Sequence, residues 1–405
     1  MDVYSTAKWI VQKLAQAGHT AYFAGGWVRD FVMGHPSEDI DIATSASPAE
    51  VMELFSHTIP VGLAFGIVIV VQQGHQFEMA TFRRDLKYVD GRHPEGIELA
   101  TPEEDALRRD FTINGMFYDP LTEVVHDYVQ GKADIQRGVI RTIGDPHERF
   151  FEDRLRMLRA FRFSARFGFY IEPETQAAIQ EHVDRFFPSV AMERVWQEFN
   201  KMASYPRFDQ ALVEMHRLGL LEIIFPEMQG WHVHNLRQQV ASFHRFPPNS
   251  PTILYLMELF PDFNLQAKLE IAKRLKSSHK DLKLIEYQNQ FEQAVREGSE
   301  DWGWAHLMAH PHYALCLGVT AAREGSPEVF LEQYGRLYTR LHAHIVRLQQ
   351  KTPLITASML KEQGIPPGKR MGQLLLAAEK LAINQDLHDP TQLLHQLAIH
   401  SLWRG

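Results

Sequence analysis

The hydrophobic pattern changes its period about one third of the way along the chain. Up to about residue 145, short apolar runs alternate with turn residues, which predicts a mixed α+β region. We expect a strand at about 20–24, a helix at about 27–33 and a strand that runs from Asp39 into Ala43. From about residue 146 onward, apolar residues recur at helical spacing almost throughout. The sequence therefore predicts a mixed-sheet head followed by an all-helical remainder.

Two segments of the head carry the signal for a capped helix start. Ser47–Glu50 and Thr101–Glu104 each place a hydroxyl residue before a proline and a glutamate three residues after the hydroxyl, which is the capping-box pattern. Ile67–Gln72 and Gln76–Thr81 predict a hairpin that turns at Gly74. The remaining expectations for the head are a polar loop at 82–100 and strands at Ile113–Tyr118 and Glu123–Tyr128.

Turn-rich junctions divide the chain into four predicted parts. The clearest junction is Gly144–Pro146, and softer ones lie at Phe225–Glu227 and Lys351–Pro353. We therefore expect a head over 1–145, a helical neck over 146–228, a helical body over 229–350 and a C-terminal helical tail over 351–405.

Composition narrows the class of protein. The chain has 405 residues, of which 45% are hydrophobic and 23% charged, as is usual for a globular protein in water. No apolar run approaches the length of a membrane span, so we expect no membrane partner. Cys316 is the only cysteine, which excludes a disulfide framework and fits a reducing, cytoplasmic compartment. With a net charge of −8, a nucleic-acid partner would need a locally basic surface.

The segment from residue 21 to residue 41 combines two features of phosphoryl-transfer sites. Gly25 and Gly26 precede a predicted helix that carries Arg29, and glycines followed by a helix N-terminus let backbone N–H groups approach a phosphate. Asp39 and Asp41 lie two residues apart, so on a strand their carboxylates point to the same side. Paired carboxylates beside a polyphosphate are what Mg²⁺ needs for in-line phosphoryl transfer. For either feature alone, the alternative is an ordinary tight turn or a solvated strand end.

A second candidate segment spans Arg108–Asn114. It closes the helix that begins at Thr101, and it places Arg109 where a guanidinium can hold a phosphate. Either Asp110 or Asn114 would then form a hydrogen bond with a ribose hydroxyl. The alternative is a helix C-terminus whose arginines merely suit the helix dipole.

A third candidate is a predicted helix over 152–166. Its arginines repeat at spacings of three and four residues and therefore share one face of a helix. These are Arg156, Arg159, Arg162 and Arg166. We expect few acids opposite this face, so that the arginines would repel one another unless they bind phosphates or bases. A salt-bridged surface face is the alternative.

Asp153 and Arg156 suggest a basis for choosing a nucleobase. Cytosine and adenine both present an amino donor beside a ring-nitrogen acceptor on their pairing edge, whereas uracil and guanine present a carbonyl beside an N–H. A carboxylate that accepts from the amino group and a guanidinium that donates to the ring nitrogen would select C and A. We hypothesise that Asp153 and Arg156 form this pair.

Together these segments resemble the class II branch of the DNA polymerase β-like nucleotidyltransferases, which contains bacterial CCA-adding tRNA nucleotidyltransferases and bacterial poly(A) polymerases. The matching segments lie in family order across residues 20–200. They are GGWVRD, EDIDIAT, FEMATFRRD, YVDGRHPEG, RRDFTING, IGDPHERFFEDRLRMLRAFRFSARFGF and MERVWQEF. The resemblance implies a polymerase β-like nucleotidyltransferase head followed by a helical neck, body and tail.

The resemblance also implies roles for individual residues of this chain. Asp39 and Asp41 would bind the catalytic Mg²⁺ ions, and Gly26 and Arg29 would hold the triphosphate. The further nucleotide contacts that it implies are Arg109, Asp110, Asp153, Arg156, Arg159 and Arg162, with Glu152 beside Asp153 in the motif that selects the base without a nucleic-acid template. Many polymerases of this superfamily use a third carboxylate. Glu78 is the positional candidate, and a solvent-facing strand residue is the equal alternative.

The expected activity is the addition of C, C and A to the 3′ end of tRNA from CTP and ATP. The acidic chain lacks the basic tail that poly(A) polymerases of this branch carry, and the segment at 82–100, with Arg92 and His93, has the length that CC-only enzymes lack. The alternatives are a poly(A) polymerase, an A-only enzyme or a non-catalytic RNA-binding descendant. The body resembles an HD domain that has degenerated. We expect no HD metal site there, because Tyr255–Asp262 lacks the His-Asp doublet.

Overall fold

The computed structural model describes residues 1–35, 37–85, 96–399 and 403. These residues form two compact units, Met1–Arg237 and Gln238–Gly405. The first unit contains the expected head and neck together with residues 229–237 of the expected body, and the second contains the rest of the expected body and the tail. The four-part division of the chain remains a prediction.

A mixed seven-stranded sheet forms the centre of the head. The strands in chain order are β1 (Ala21–Ala24), β2 (Asp41–Thr44), β3 (Thr58–Gly62), β4 (Ile67–Gln72), β5 (His75–Thr81), β6 (Arg83–Asp85), β7 (Ile97–Leu99), β8 (Phe117–Asp119), β9 (Val124–His126), β10 (Val139–Ile140) and β11 (Tyr170–Ile171). The large sheet has the order β3-β4-β5-β2-β1-β8-β9, and β6 with β7 and β10 with β11 form two small sheets. Within the large sheet β2 and β5 pair in parallel, and all the other neighbouring strands pair antiparallel.

Helices surround the sheet and continue beyond it in the first unit. They are α1 (Val3–Gln16), α2 (Gly26–Val32), α3 (Pro48–Leu54), α4 (Pro102–Leu107), α5 (Gly131–Arg137), α6 (Pro146–Glu152), α7 (Leu155–Phe167), α8 (Pro173–His182), α9 (Met192–Met202), α10 (Phe208–Arg217), α11 (Leu220–Ile224) and α12 (Val233–Val240). The side chains of Ile10 and Leu14 on α1 are buried with Phe23 and Phe77 of the sheet. This burial of apolar surface holds α1 against one face of the sheet. The polar groups of the head lie instead at the ends of the strands.

The second unit is helical in the part that the structure describes. Its helices after α12 are α13 (Thr252–Met257), α14 (Leu265–Arg274), α15 (His279–Glu297), α16 (Asp301–Ala309), α17 (Tyr313–Arg323), α18 (Pro327–Gln350), α19 (Ala357–Glu362), α20 (Lys369–Asn384) and α21 (Pro390–Ile399). None of the described helices combines the length and the apolar character that crossing a membrane requires. The predicted fold class, a mixed head followed by helices, is confirmed.

Local sequence signals predicted several elements correctly. Ser47 and Thr101 cap α3 and α4, and in both cases the hydroxyl and the glutamate three residues later form a complete capping box. Strands β4 and β5 form the predicted hairpin. These features depend on neighbours within a few residues, which is why the sequence alone specifies them.

Three expectations for the first unit are wrong in part. Residues 112–114 form a 3₁₀ turn, and only Phe117–Asp119 of the expected strand at 113–118 is extended. The expected loop at 82–100 contains the paired strands β6 and β7, while Arg92 and His93 lie outside the described residues. The expected helix at 152–166 is broken, because Asp153 is extended and its carboxylate accepts the backbone N–H of Leu155 at the start of α7 (3.0 Å).

Candidate active site

The glycine turn between β1 and α2 forms the floor of the candidate site. Gly25 has a φ of 66° and a ψ of −130°, a backbone conformation that side chains other than glycine rarely adopt. A methyl group at Gly25 would lie 3.6 Å from Arg109 NH1 and 3.7 Å from Asp41 Oδ2. Behind the turn, the Trp27 ring packs edge-on against Phe23 with a centroid distance of 5.0 Å. The turn therefore sits on the aromatic core and brings a guanidinium and a carboxylate to its open side.

Three carboxylates meet beside this turn. Asp41 begins β2 opposite Ala24 of β1, and Asp39 lies two residues earlier, just before the strand. Because β2 and β5 pair in parallel with Ile42 opposite Met79, Glu78 lies next to Asp41. Asp39 and Glu78 are exposed and Asp41 is half-buried, whereas Ile40 between the two aspartates is buried. The two aspartates that the sequence singled out are thus joined by a glutamate that the sequence left open.

The electrostatics of this group suit a hard divalent cation. Burial, together with the charges of Glu78 and Asp39, raises the pKa of Asp41 to about 7, and Arg109 offsets only part of this effect. The pKa is this high because burial disfavours the ionised form and because two further negative charges lie close by. Mg²⁺ prefers carboxylate oxygens and supplies two positive charges. The donor set therefore fits Mg²⁺, and Asp39 and Asp41 are the residues that would hold it.

Arg109 is held in place by a buried carboxylate. Asp105, in the middle of α4, accepts hydrogen bonds from Arg109 Nε (3.1 Å) and NH2 (2.9 Å), and it also accepts from Arg108. The Arg109 guanidinium lies 4.8 Å above the Phe117 ring. Burial alone would raise the pKa of Asp105, but the two arginines outweigh it and lower that pKa. With two of its nitrogens fixed in this way, Arg109 directs NH1 toward the glycine turn, where an anion would bind.

The side chain of Arg29 lies beside the glycine turn, because its NH2 group is 3.4 Å from where a methyl group at Gly26 would be. Its side chain is only 3% exposed, and it donates from Nε to Asp30 (2.9 Å) and from NH1 to Asn114 (2.6 Å). The Phe167 ring of α7 lies 4.7 Å from its guanidinium carbon. Arg29 therefore connects α2 with the segment 112–114 and with α7, and its expected contact with the triphosphate stays a prediction.

Asp110 anchors Arg159 in the neck. The carboxylate of Asp110 accepts from the Asn114 amide (3.1 Å) and from both Nε (2.8 Å) and NH2 of Arg159. Burial would raise the pKa of Asp110, but the Arg159 guanidinium and the Asn114 amide hold it below its usual range. This ion pair joins the segment after α4 to the arginine face of α7.

The arginine face of α7 is matched by acids, which contradicts our expectation of few facing carboxylates. Each arginine of the face has a carboxylate partner, which for Arg156 is four residues earlier in the chain and for the other three lies in a distant segment. The pairs are Arg156 with Glu152, Arg159 with Asp110, Arg162 with Glu198 and Arg166 with Asp30. The salt-bridged alternative therefore describes the face as the structure has it. These pairs are half-buried or buried, so they order α7 against its neighbours more firmly than exposed ion pairs would.

Asp153 and Arg156 lie close together but are held by different partners. Asp153 pairs with Arg194 of α9 through two contacts of 3.3 and 3.0 Å. Arg156 donates to the carbonyl oxygens of Arg149 and Arg108, both at 3.1 Å, and to the Glu152 carboxylate at 2.6 Å. These three acceptors use three of the five N–H donors of a guanidinium. The break between α6 and α7 thus presents a fixed carboxylate next to a fixed guanidinium.

Sequence reasoning missed several residues that order this site. They are Asp30, Asp105, Arg194 and Glu198, each of which fixes an arginine or an aspartate of the predicted set. Arg194 and Glu198 lie in MERVWQEF, which the resemblance singled out without a role. Their i, i+4 spacing puts both on one face of α9, and that spacing was the available signal.

Two family models match the first unit. Residues 21–141 match the Poly A polymerase head domain. Residues 168–231 match the probable RNA and SrmB-binding site of polymerase A. The first match covers the glycine turn and the three carboxylates, and the second covers α9 with Arg194 and Glu198.

The chain is similar to CCA-adding enzymes along nearly its whole length. The enzyme of Levilactobacillus brevis is 32% identical over 382 residues, which span 92% of each chain. The enzyme of Pediococcus pentosaceus is 31% identical over 395 residues, which span 95% of this chain and 94% of the relative. A crystal structure of the Bacillus stearothermophilus CCA-adding enzyme in complex with CTP is 26% identical, covers 98% of each chain and has a TM-score of 0.79.

Proposed function

Because this chain belongs to the family of CCA-adding enzymes, we propose that it adds C, C and A to the 3′ end of tRNA from CTP and ATP. The observation that carries the proposal is the meeting of Asp39, Asp41 and Glu78 with the glycine turn and Arg109. This arrangement combines an uncompensated carboxylate group with an anion-binding turn. Nucleotidyl transfer requires both, because a polyphosphate and its cation have to bind side by side.

The reaction is attack of the RNA 3′-hydroxyl on the α-phosphate of the nucleotide, with release of pyrophosphate. Asp39 and Asp41 would hold Mg²⁺, which when bound neutralises charge on the phosphates and makes the hydroxyl more acidic. Glu78 adds negative charge to the same group and is positioned to act as a third ligand. The backbone N–H groups at the start of α2 and the NH1 group of Arg109 face the place where the polyphosphate would lie.

Arg29 acts in this proposal as a positioning residue. Its hydrogen bonds to Asp30 and Asn114 hold α2 against the neighbouring segment, so that the glycine turn keeps its shape when a polyphosphate binds. Asp110 has a similar task, because it fixes Arg159. The expected direct contacts of these residues and of Arg162 with a nucleotide remain predictions.

Base choice is assigned to Asp153 and Arg156. The Asp153 carboxylate is fixed by Arg194, and Arg156 keeps two N–H donors beyond the three that its described acceptors use. The pair can therefore accept from an amino group and donate to a ring nitrogen at once. In Asp153→Ala we expect the preference for C and A over U and G to fall, as measured by single-nucleotide incorporation, and an unchanged preference would refute the assignment.

Extension of a defined tRNA tests the proposed activity. A transcript that lacks its CCA end is incubated with Mg²⁺ and CTP, ATP or both, and products are separated at single-nucleotide resolution. We expect two additions with CTP alone, and three additions followed by a stop with both nucleotides. A long ladder with ATP alone would support a poly(A) polymerase, and extension only of a transcript ending in CC would support an A-only enzyme.

A matched pair of variants connects the assay to the site. Asp41→Asn should abolish extension, whereas Asp262→Asn, an exposed aspartate of the second unit, should leave it unchanged. Absence of any Mg²⁺-dependent labelling in the unaltered protein would support a non-catalytic RNA-binding protein. We further propose a cytoplasmic location, which the single, buried Cys316 supports.

A further inference from the structure

Two histidines and a glutamate from different helices meet in the first unit, away from the three carboxylates of the head. His147 lies in the first turn of α6, and Glu181 and His182 are the last two residues of α8. His147 Nδ1 is 3.1 Å from His182 Nε2 and 3.6 Å from Glu181 Oε2. We propose that this cluster binds a divalent transition-metal ion, with Zn²⁺ as the ion that its ligands fit.

The distances between the ligand atoms agree with one shared ion. Zn²⁺ binds imidazole nitrogen and carboxylate oxygen at about 2.0–2.2 Å in tetrahedral geometry, which places neighbouring ligand atoms about 3.3 Å apart. The two measured separations lie on either side of this value, and all three ligand atoms are within 4.8 Å of one another. Two imidazoles with one carboxylate is a ligand set that Zn²⁺ uses when water occupies the fourth position.

Exposure and charge are consistent with such a site. Side chains of His147 and Glu181 are 43% and 69% exposed, so an ion and its water ligand can reach them. Burial and the neighbouring His147 lower the pKa of His182, which favours the neutral imidazole that binds metals. Arg185 and Arg154 also lie close enough to lower that pKa. Their positive charge opposes cation binding, and the negative charge of Glu181 counteracts it.

A second histidine cluster in the other unit lacks this capacity. Asp386 accepts from Nε2 of both His344 (2.9 Å) and His388 (3.0 Å), and Arg347 donates to Nδ1 of both rings. An ion bound to the two Nε2 atoms would require protons on both Nδ1 atoms, and these protons would then face the N–H groups of Arg347. The second cluster is therefore a closed hydrogen-bonded network. In the first cluster, by contrast, none of the described arginines donates to the His147 and His182 nitrogens that face each other.

A bound ion would tie α6 to α8. α6 ends at Glu152, directly before Asp153. The position of α6 therefore affects the position of the Asp153 carboxylate, which belongs to the base-selecting pair. At present only a nitrogen–nitrogen contact and a long ion pair join His147 to the end of α8. Metal coordination would replace these weak contacts with stronger bonds and would reduce the motion of α6 relative to α8.

Cobalt substitution tests the site in the full-length, untagged protein. Co²⁺ is added with Mg²⁺ in large excess, so that the carboxylates of the head are occupied, and visible absorption is recorded. We expect the strong bands of four-coordinate Co²⁺ to saturate at one equivalent and to disappear when Zn²⁺ is added. The bands should be absent in His147→Ala and in His182→Ala, and should persist in His279→Ala, a single exposed histidine on α15.

Thermal unfolding gives a second readout that does not depend on activity. With Mg²⁺ again in large excess, one equivalent of Zn²⁺ should raise the Tm of the unaltered protein by several degrees, because an ion that binds only the folded state stabilises it, and it should not raise the Tm of His147→Ala. Circular dichroism of the variants is the control that checks whether they are folded. The proposal is overturned if Co²⁺ gives only the weak bands of six-coordinate ions, or if His388→Ala rather than His147→Ala removes the signal.

Discussion

Two groups of carboxylates, one in each unit, balance their negative charge in opposite ways. In the head, Asp39, Asp41 and Glu78 lie together with Arg109 as a partial countercharge, and the pKa of Asp41 is raised to about 7. In the second unit, Glu258 and Glu292 share Arg323, whose NH2 group donates to both of them. The first group is open to solvent, and the second is buried.

The buried group compensates its charge internally. Gln288 donates to Glu292 (2.7 Å), and the buried Lys268 lies close enough to favour the ionised form of both glutamates. Burial raises the pKa of Glu258 to about 7 despite Arg323, whereas Arg323 and the Gln288 amide outweigh burial and lower the pKa of Glu292. Two acids and two bases therefore offset one another's charge and connect α14, α15 and α17 with the residue that follows α13.

The comparison distinguishes charged residues that stabilise the fold, in the second unit, from charged residues that are available to bind a ligand, in the head. Removing a base from the buried group leaves an unpaired charge inside the protein, which is costly. Removing an acid from the head relieves repulsion and costs the fold little, but it removes a ligand for a cation. A raised carboxylate pKa is common to both groups, so the pKa alone does not identify a functional site.

The largest expected effect is on activity, in Asp41→Asn. A cation bound at the proposed site would supply several kcal/mol of transition-state stabilisation, so nucleotide incorporation should fall by about 10³-fold or more. The free energy of unfolding should stay the same or increase, because repulsion from Asp39 and Glu78 is removed. Incorporation rates and urea denaturation of the metal-free protein measure the two quantities. A large loss of stability would contradict the comparison.

The next effect is on stability, in Arg323→Met. The change leaves Glu258 and Glu292 without their shared partner, and we expect the second unit to lose about 3 kcal/mol of unfolding free energy. Urea denaturation followed by far-UV circular dichroism measures this loss. Arg336→Met is the matched control, because Arg336 pairs with Glu332 on the surface of α18 and is 77% exposed; its change should stay within about 0.5 kcal/mol. Equal losses in both variants would contradict the internal role of Arg323.

A smaller effect concerns pH, in Glu78→Gln. The native pKa of Asp41 lies above its ordinary value of 3.8, so the native state binds more protons than the unfolded state between about pH 4 and pH 7, and Asp41 lowers stability as the pH rises through this window. Without Glu78 the pKa of Asp41 should fall, and the variant should gain about 1 kcal/mol relative to the parent at pH 7.5 but little at pH 4.5.

Denaturation at both pH values in EDTA measures this pH dependence. Glu53→Gln, an exposed glutamate of α3, is the control and should show the same difference from the parent at both values. Mg²⁺ should also release protons when it binds the parent below pH 7, and fewer when it binds Glu78→Gln, which calorimetry in buffers of different ionisation enthalpy detects. Equal proton release would show that Glu78 does not act on Asp41.

The smallest expected effect is in Lys268→Met. Lys268 supports the two buried glutamates through its charge, and burial lowers its own pKa. We expect a loss of about 1 kcal/mol, less than for Arg323, because the methionine keeps the packing of the aliphatic chain. Lys280→Met, at an exposed position of α15, should have no measurable effect. A loss larger than that of Arg323→Met would reverse the assigned order of the two bases.

The sequence specified the parts of the site that depend on near neighbours. The glycine turn follows β1, Asp41 begins the adjacent antiparallel strand about fifteen residues later, and the capped helix before Arg109 follows from four residues. The partners of the arginine face could not be predicted in this way. Arg162 meets Glu198 and Arg166 meets Asp30 across 36 and 136 residues, and such contacts depend on how helices and sheet pack, which no local pattern encodes.

Glu78 and Asp153 show two further limits of sequence reasoning. Glu78 was left open because its place beside Asp41 depends on the parallel pairing of β2 with β5, which strand propensity does not specify. Asp153 was assigned to a continuous helix, although an aspartate before an apolar helical run is also a capping signal. This local rule describes the observed break, because the Asp153 carboxylate accepts the backbone N–H of Leu155 at the start of α7.

The pairing of β4 with β5 constrains how the gene for this protein can change in length. Phe77 and Met79 point into the core and Glu78 points out, so loss or gain of one residue between Gly74 and Glu78 would turn the whole strand by half a period. The carboxylate would then face the core, and a phenylalanine or methionine would lie beside Asp41. In homologous genes we therefore expect insertions and deletions at this hairpin to occur in steps of two residues, whereas substitutions at its exposed positions other than Glu78 are tolerated.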